Sequence, residues 1–341
     1  MSELVPSTKN ILLVAGDSSG DLHGANLIKA LKAQDPELNI AALGGSRIQK
    51  VCDRFLYNLA GVGAGGFTEP VKRMYLWVRL IGLVRKYLEE KRPACVIVID
   101  FYGFNHQVLG LAEHRRIPAY YFISPQVWAS RPGRVAHIAR LVRKMLVIYP
   151  FEKQIYDKAK VSCEFVGHPL LDIMPQPVAP PAGRTSGHQW NIGILPGSRM
   201  QEVERHLPVF WEAFRTIWQT FPQAKACVFA APEIADSTIK ALCSASDKEK
   251  QPELEIVREE DYYRRSRMDL LLASSGTATL ENALLGLPMI VAYQLPWLTY
   301  HIAKRIITVK HISLANILLD KPVVREFIQD KVTSVAISGA A

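Results

Sequence analysis

The sequence predicts two doubly wound α/β domains in tandem. Short, fully apolar runs alternate with amphipathic ones along the chain, and the runs end in loops of Gly, Ser and Asp. The alternation breaks once, at a Pro-rich stretch, and then begins again. The first run, ILLVAG (11–16), carries no polar residue, as expected of a strand covered on both faces of a parallel sheet. GDSSGD (16–21) follows as a turn, and LHGANLIKALKAQ (22–34) as an amphipathic helix. IAALGG (40–45) opens a second cycle, and ACVIVID (94–100) is the clearest central strand. AYYFIS (119–124) and KMLVIYP (144–150) continue the series.

Between residues 173 and 189 the pattern stops. Pro175, Pro177, Pro180 and Pro181 followed by Gly and Ser are linker composition. The cycle then restarts with WNIGILPGSR (190–199) and an amphipathic helix from Met200 to Thr220. ACVFAA (226–231), LEIV (254–257), DLLLASSG (269–276) and GLPMIVAY (286–293) are the next strands. The expected organisation is a first domain over 1–172, a linker over 173–189 and a second domain over 190–341. Two such domains would turn the carboxyl ends of their sheets toward a shared cleft.

Composition narrows the function classes. At 341 residues, 49% hydrophobic and 21% charged, the chain has enough apolar sequence for two cores, and it is not a disordered protein. The five cysteines lack CxxC or Cys/His ligand spacing, which argues against a disulfide framework and a zinc site. A formal charge of +9 points to a polyanion: nucleic acid, an anionic membrane or a phosphorylated substrate. The start, MSELVPSTKN, is polar, so no signal peptide is expected there. The longest stretch without an acidic residue, Lys or Arg (282–303) is interrupted by prolines. A cytoplasmic protein is the default expectation.

Three loops carry candidate chemistry. Gly197, Ser198 and Arg199 lie between a buried strand and a helix, where backbone N–H groups and the helix dipole favour an anion. A tight turn with a solvated Arg accounts for them equally well. Ser275, Gly276, Thr277, Ala278 and Thr279 repeat the arrangement after DLLLAS, and Glu281 follows on the helix. Such a loop admits a diphosphate close to the backbone, and a carboxylate one turn on suits a ribose diol; an ordinary N-cap is the plain alternative. Neither loop has a Walker A or GxGxxG pattern, which disfavours an ATPase or a dehydrogenase. In the first domain, Asp100 ends the strand VIVID at the carboxyl edge, the place for a general base, with Asn105 as its orienting partner. A structural cap remains the competing account. Asp21 is expected to cap the first helix, His23 to be packed or solvated, Trp128 to lie in a core, and His168 to serve as hinge or ligand contact.

Two stretches are basic. Residues 70–92 interleave Met74, Trp77 and Ile81 with Lys72, Arg73, Arg79 and Arg85, and residues 131–144 hold five basic residues and no acidic one. A helix lying on anionic lipid has this pattern, and so does a helix packed on a sheet with its basic stems snorkelling. Nucleic acid fits less well, because no recognition motif is present.

Together these segments resemble the lipid-A-disaccharide synthase family, inverting glycosyltransferases of the GT-B architecture. The matching pieces are VAGDSSGDLHGANLIKALK, VIVIDFYGFN, YFISPQVWASRPGRV, FVGHPLLD, ILPGSRMQEV, LLASSGTATLENALLGLPMIVAYQ and ISLANIL, in family order from about residue 11 to 330. The resemblance implies transfer of glucosamine from UDP-2,3-diacylglucosamine to 2,3-diacylglucosamine 1-phosphate (lipid X), with release of UDP. The chemistry would take place at the cytoplasmic face of the inner membrane of a Gram-negative-type cell. It implies no cofactor and no metal, a peripheral contact with anionic lipid through Met74, Trp77, Arg73 and Arg79, and it leaves a homodimer open. By position, Asp100 is the catalytic base, Arg199 and the 275–279 loop hold the diphosphate, Glu281 holds the ribose, and Asn316 matches the Asn of the family's SLPN motif. Asp17 stands where the family has Glu in its first loop, and it joins Asp100 and Asn105 among the catalytic candidates.

By the resemblance, the sequence departs from the family at Gly103, where a second carboxylate is usual, and at Ser130, where Trp is usual, and the family's C-terminal return helices are expected to be absent. Two other readings stand beside the enzyme: a non-catalytic relative that binds UDP-sugar or acylated glucosamine at the membrane, and a UDP-GlcNAc epimerase.

Overall fold

The computed structural model describes residues 7–60, 70–126, 133–177, 189–244, 252–259, 262–307 and 309–341. The chain divides into two compact units, Met1–Pro169 and Leu170–Ala341. The Pro-rich stretch from 178 to 188 and Trp128 lie outside the described residues.

The first unit is built on a seven-stranded sheet. Its strands are β1 (Ser7–Ala15), β2 (Asn39–Gly44), β3 (Arg54–Asn58), β4 (Pro93–Ile99), β5 (Ala119–Phe122), β6 (Lys144–Val147) and β7 (Cys163–Phe165), in spatial order β3-β2-β1-β4-β5-β6-β7. Every pairing is parallel, which requires a crossover between successive strands and explains the alternation in the sequence. Leu12, Val14, Val96 and Val98 on the two central strands are fully buried, with helices on the sheet's faces. Strand order reverses between β1 and β4, so the loops after these two strands flank the crevice where ligands of open α/β sheets bind.

The second unit repeats the plan with six parallel strands: β8 (Asn191–Leu195), β9 (Lys225–Phe229), β10 (Leu254–Val257), β11 (Leu270–Ser274), β12 (Met289–Tyr293) and β13 (Arg325–Ile328), in spatial order β10-β9-β8-β11-β12-β13. Its switch point lies between β8 and β11, the strands that feed the Gly197 and Gly276 loops. The long helix Met200–Thr220 covers the sheet with Val203, Leu207, Phe210 and Phe214, an i, i+4, i+7, i+11 stripe that is fully buried. Pro208 lies inside this helix without ending it.

Candidate functional site

In the first unit the chain makes an unusual turn at the end of β4. Asp100 and Phe101 both adopt left-handed backbone conformations, at φ 43° and 41°. Residues with a Cβ enter this region at a cost, and such strain persists where the surroundings enforce it. Here the surroundings grip the Asp100 backbone from several sides. Its N–H donates to Ile123 O at 3.1 Å. Its carbonyl accepts from Asn105 Nδ2 at 2.8 Å and from Tyr121 Oη at 2.5 Å. Asn105, fully buried, also donates to Ile99 O at 2.9 Å. Asn105 thus bonds to the main chain of Asp100, the residue it is expected to orient. Burial first, and the Asp100 charge second, push the Tyr121 phenol far above its ordinary value, so it stays a donor.

The first loop corrects one expectation. Asp17, not Asp21, caps the helix Ser18–Gln34, accepting from Gly20 N at 2.6 Å. Asp21 is buried, and its carboxylate accepts from the N–H groups of Gly45, Arg47 and Ile48 at 2.7, 3.0 and 3.0 Å. A Cβ at position 45 would lie 2.6 Å from that carboxyl, so only Gly lets the two loops meet. His23 is packed, its ring 6.0 Å from His168, which in turn lies 5.4 Å from Tyr149. Burial brings both histidines down to about 4 and keeps them neutral.

The basic helix is Pro70–Lys91. Trp77, offered by the sequence to acyl chains, turns inward instead: it packs edge-on against Phe104 at 5.6 Å and tilted against Phe101 at 6.3 Å. Ile81 also packs on the core. The outward face carries Tyr75 and Val78, 71% and 68% exposed, together with Arg79. The side chains of Arg73 and Met74 lie outside the described residues.

In the second unit, Gly197 has φ +123°, and a Cβ there would lie 2.6 Å from Glu202 Cβ. Arg199 is the N-cap of the helix Met200–Thr220. Glu202 folds back over this helix start: its Oε2 is 3.3 and 3.4 Å from the N atoms of Ser198 and Arg199, and its Oε1 accepts from Arg199 Nη1 at 2.8 Å. A carboxylate thus lies where the anion was expected, with the Arg199 side chain 57% exposed beside it. In the companion loop, Ser275 Oγ donates to Ile312 O at 2.6 Å, and Thr279 Oγ1 donates to Gly276 O and accepts from Leu314 N. These two hydroxyls hold the loop's shape, leaving Gly276, Thr277 and Ala278 at its more open part. Glu281 accepts from Arg265 Nη1 and from Tyr262 Oη. Asn316 is fully buried: it donates to Val324 O and Glu326 and accepts from Val324 N. Its amide braces the loop from inside and offers no atom at the surface. Among the described residues no group of three or more His, Cys, Asp or Glu is placed to hold a metal ion.

A family model described as lipid-A-disaccharide synthetase matches residues 11–341 of this chain. The chain belongs to that family. The lipid-A-disaccharide synthase of Trichlorobacter lovleyi is 34% identical over 335 residues, which cover 97% of this chain and 86% of that protein. Lipid-A-disaccharide synthase 1 of Legionella pneumophila is 33% identical over 339 residues, covering 98% and 87%. Among solved structures, the UDP-GlcNAc 2-epimerase of Neisseria meningitidis bound to UDP-GlcNAc superposes with a TM-score of 0.59 at 13% identity, over 91% of this chain and 90% of that one. The MurG protein of Acinetobacter baumannii gives 0.54 at 14%, over 97% and 89%. Two parallel-sheet α/β units with these neighbours make the fold GT-B.

Within the lipid-A-disaccharide synthetase family frame, four residues that the sequence pattern does not single out become visible. Tyr121 has been described above. His206 is fully buried; it accepts from Gln294 N at 3.0 Å through Nε2, so Nδ1 carries the proton that it donates to Pro196 O at 3.1 Å. It thereby ties the Gly197 loop to the end of β12. Glu326 accepts from the N–H groups of Ile312 and Ser313, from Ser313 Oγ and from Asn316 Nδ2, and so holds the segment on which Ser275 and Thr279 lean. Arg265 backs Glu281. His206 had a signal, a lone polar residue on the apolar stripe of its helix; the other three had none.

Proposed function

We propose that this chain transfers a 2,3-diacylglucosaminyl group from its UDP donor to 2,3-diacylglucosamine 1-phosphate, with inversion at the anomeric carbon, releasing UDP. The observation that carries the reading is the family match over 11–341. Asp100 removes the proton from the acceptor's 6-hydroxyl as that oxygen attacks the anomeric carbon. The gripped left-handed turn suits this task, because it fixes the carboxylate's direction before substrate arrives. Asp17, as cap of the neighbouring loop, helps to shape the acceptor side. On the donor side, Arg199 and the N–H groups at Ser198 and Gly276–Ala278 take up the charge of the leaving diphosphate, while the Thr279 N–H donates to Gly276 O. Glu202 must yield its place on Ser198 and Arg199 to that diphosphate. Glu281 accepts from the ribose hydroxyls.

Acylated substrates require the acceptor side to meet a bilayer. Tyr75, Val78 and Arg79 on the outward face of the basic helix support a peripheral contact with anionic lipid at the inner membrane, to which the sequence also offers Arg73 and Met74. Among the described residues no helix is long and apolar enough to cross a membrane.

The test is turnover with UDP-2,3-diacylglucosamine and lipid X, followed by UDP release. Asp100→Asn should abolish turnover and leave UDP affinity unchanged, since a base acts on the acceptor and not on the nucleotide. A variant that keeps most of the wild-type rate removes Asp100 from the mechanism.

A further inference from the structure

The carboxylate proposed to meet the ribose is not an isolated group on a helix face. Arg265 Nη1 donates to Glu281 Oε2 at 2.5 Å, while Arg265 Nε lies 2.8 Å from Glu259 Oε2. The Arg265 backbone N–H also donates to Glu259 Oε1 at 2.7 Å. The three side chains are 11% (Arg265), 4% (Glu259) and 13% (Glu281) exposed, so this is an enclosed carboxylate–guanidinium–carboxylate row. Two rings confine the guanidinium: it lies 5.2 Å from the Tyr262 centroid and 5.5 Å from that of Phe229. Tyr262 Oη adds a second donor to Glu281, on Oε1 at 3.3 Å.

Three segments of the chain meet in the row. Glu259 follows β10, Tyr262 and Arg265 border the 3₁₀ turn Arg265–Arg267, Phe229 ends β9, and Glu281 stands on the helix Thr277–Leu284. A solvated Glu would need none of this. Burial pushes the Glu259 carboxyl above its ordinary value, and the Arg265 charge and backbone N–H offset that cost only in part; the arrangement makes sense if the direction of the Glu281 carboxylate matters. A planar guanidinium transmits direction as a Lys ammonium does not, because its donors leave in a fixed fork.

We propose that Arg265, backed by Glu259 and clamped by Tyr262 and Phe229, is a positioning residue that aims Glu281 at the hydroxyls of a nucleoside diphosphate's ribose. The inference rests on the reading of Glu281 given above and adds the device that sets its selectivity for a ribose carrying both hydroxyls. Arg265 and Tyr262 each engage one carboxylate oxygen, and each oxygen of a carboxylate keeps a further acceptor site to which a diol can donate.

The experiment measures the affinity of the full chain for UDP and for 2′,3′-dideoxy-UDP by calorimetry, in wild type, Glu281→Gln, Arg265→Lys and Glu259→Gln. Wild type should prefer UDP by about tenfold or more, as two hydrogen bonds to a charged acceptor imply. Arg265→Lys keeps the charge and loses the fork, so UDP should weaken by about tenfold while dideoxy-UDP stays within about twofold, collapsing the preference. Glu259→Gln keeps the volume and should show the same selective loss in milder form, about threefold, which also serves if Arg265→Lys fails to fold.

The outcomes separate the two readings. If Glu281→Gln keeps the wild-type preference, Glu281 does not meet the ribose, and the inference falls with that reading. If Glu281→Gln loses the preference but Arg265→Lys and Glu259→Gln retain it, the ribose contact stands and the positioning role is overturned. If Arg265→Lys or Glu259→Gln weakens both nucleotides equally, the row merely supports the loop, and the proposal is again overturned.

Discussion

The grip on Asp100 makes a prediction that a single atom can test. Tyr121→Phe removes the hydroxyl and keeps a ring that is fully buried beneath the sheet's helices, so no large cavity opens. The Asp100 carbonyl loses its 2.5 Å bond to Tyr121 but keeps the 2.8 Å bond to Asn105, so it is not left unsatisfied. The expected cost in stability is therefore that of one net hydrogen bond, about 0.5–1.5 kcal/mol. Catalysis should suffer more. The left-handed conformation of residues such as Asp100 and Phe101 costs about 1–2 kcal/mol each, comparable with the bonds that impose it. Removing one bond lets the turn relax and swings the carboxylate. A misplacement of an ångström costs up to about a hundredfold in rate, so kcat should fall by about tenfold or more. UDP affinity, assigned to the other unit in the proposed function, should remain within about twofold, since no uniform binding interaction is lost. Urea unfolding, calorimetry with UDP and initial rates of UDP release measure the three quantities. A variant that is about 1 kcal/mol less stable yet turns over at the wild-type rate would show that the grip serves folding alone.

Other outcomes follow from the same geometry. Arg199→Ala and Glu281→Ala should each weaken UDP binding by about 1–3 kcal/mol, as for loss of a charge-assisted hydrogen bond; unchanged affinity in both returns the loops to ordinary caps. The protein should bind anionic but not neutral vesicles, with about 1 kcal/mol from each basic residue near the surface and release at high salt. The double variant Arg73→Glu with Arg79→Glu should abolish that binding without unfolding; continued sedimentation with vesicles places the lipid contact elsewhere. His23 titrates at about 4 in the folded chain against 6.5 for an unperturbed histidine, mainly through burial and secondarily through His168. The unfolded chain then takes up the proton first, so stability is complete above about pH 6.5 and is lost as pH falls toward 4, by at most roughly 3 kcal/mol. His23→Gln should flatten the urea-unfolding midpoint over that pH range; an unaltered slope assigns the acid sensitivity to other groups.

Much of the fold was legible because parallel sheets bury central strands on both faces. ILLVAG, ACVIVI and LLLA announce themselves by having no polar residue apart from Cys95. The strands that escaped notice, β3, β7 and β13, lie at sheet edges, where half-exposed runs such as RFLYN and REFI carry no such signature. The positions of Asp100, Gly197 and Gly276 at strand ends were readable for the same reason: each follows an apolar run. What holds them in place was not. A left-handed Asp has no sequence mark, and Arg265 reaches Glu281 across sixteen residues of chain from a turn with no periodicity.

The departure at position 103 shows how structure can make sense of a substitution that the sequence can only flag. By resemblance a carboxylate belongs two residues before Asn105, and this chain has Gly. A Cβ at 103 would lie 3.3 Å from Trp77 Cη2, tighter than ordinary van der Waals contact. A side chain at 103 would therefore require the indole to give by a few tenths of an ångström. The indole packs on Phe101, which follows Asp100 in the turn, and on Phe104 in the helix that begins there. Trp77 and Gly103 are thus two halves of one local solution: the aromatic ring braces the strained turn from the helix side, and the missing side chain gives it room. The same contact turns Trp77 away from lipid, leaving Tyr75 and Val78 as the exposed large apolar residues among the described side chains of this helix.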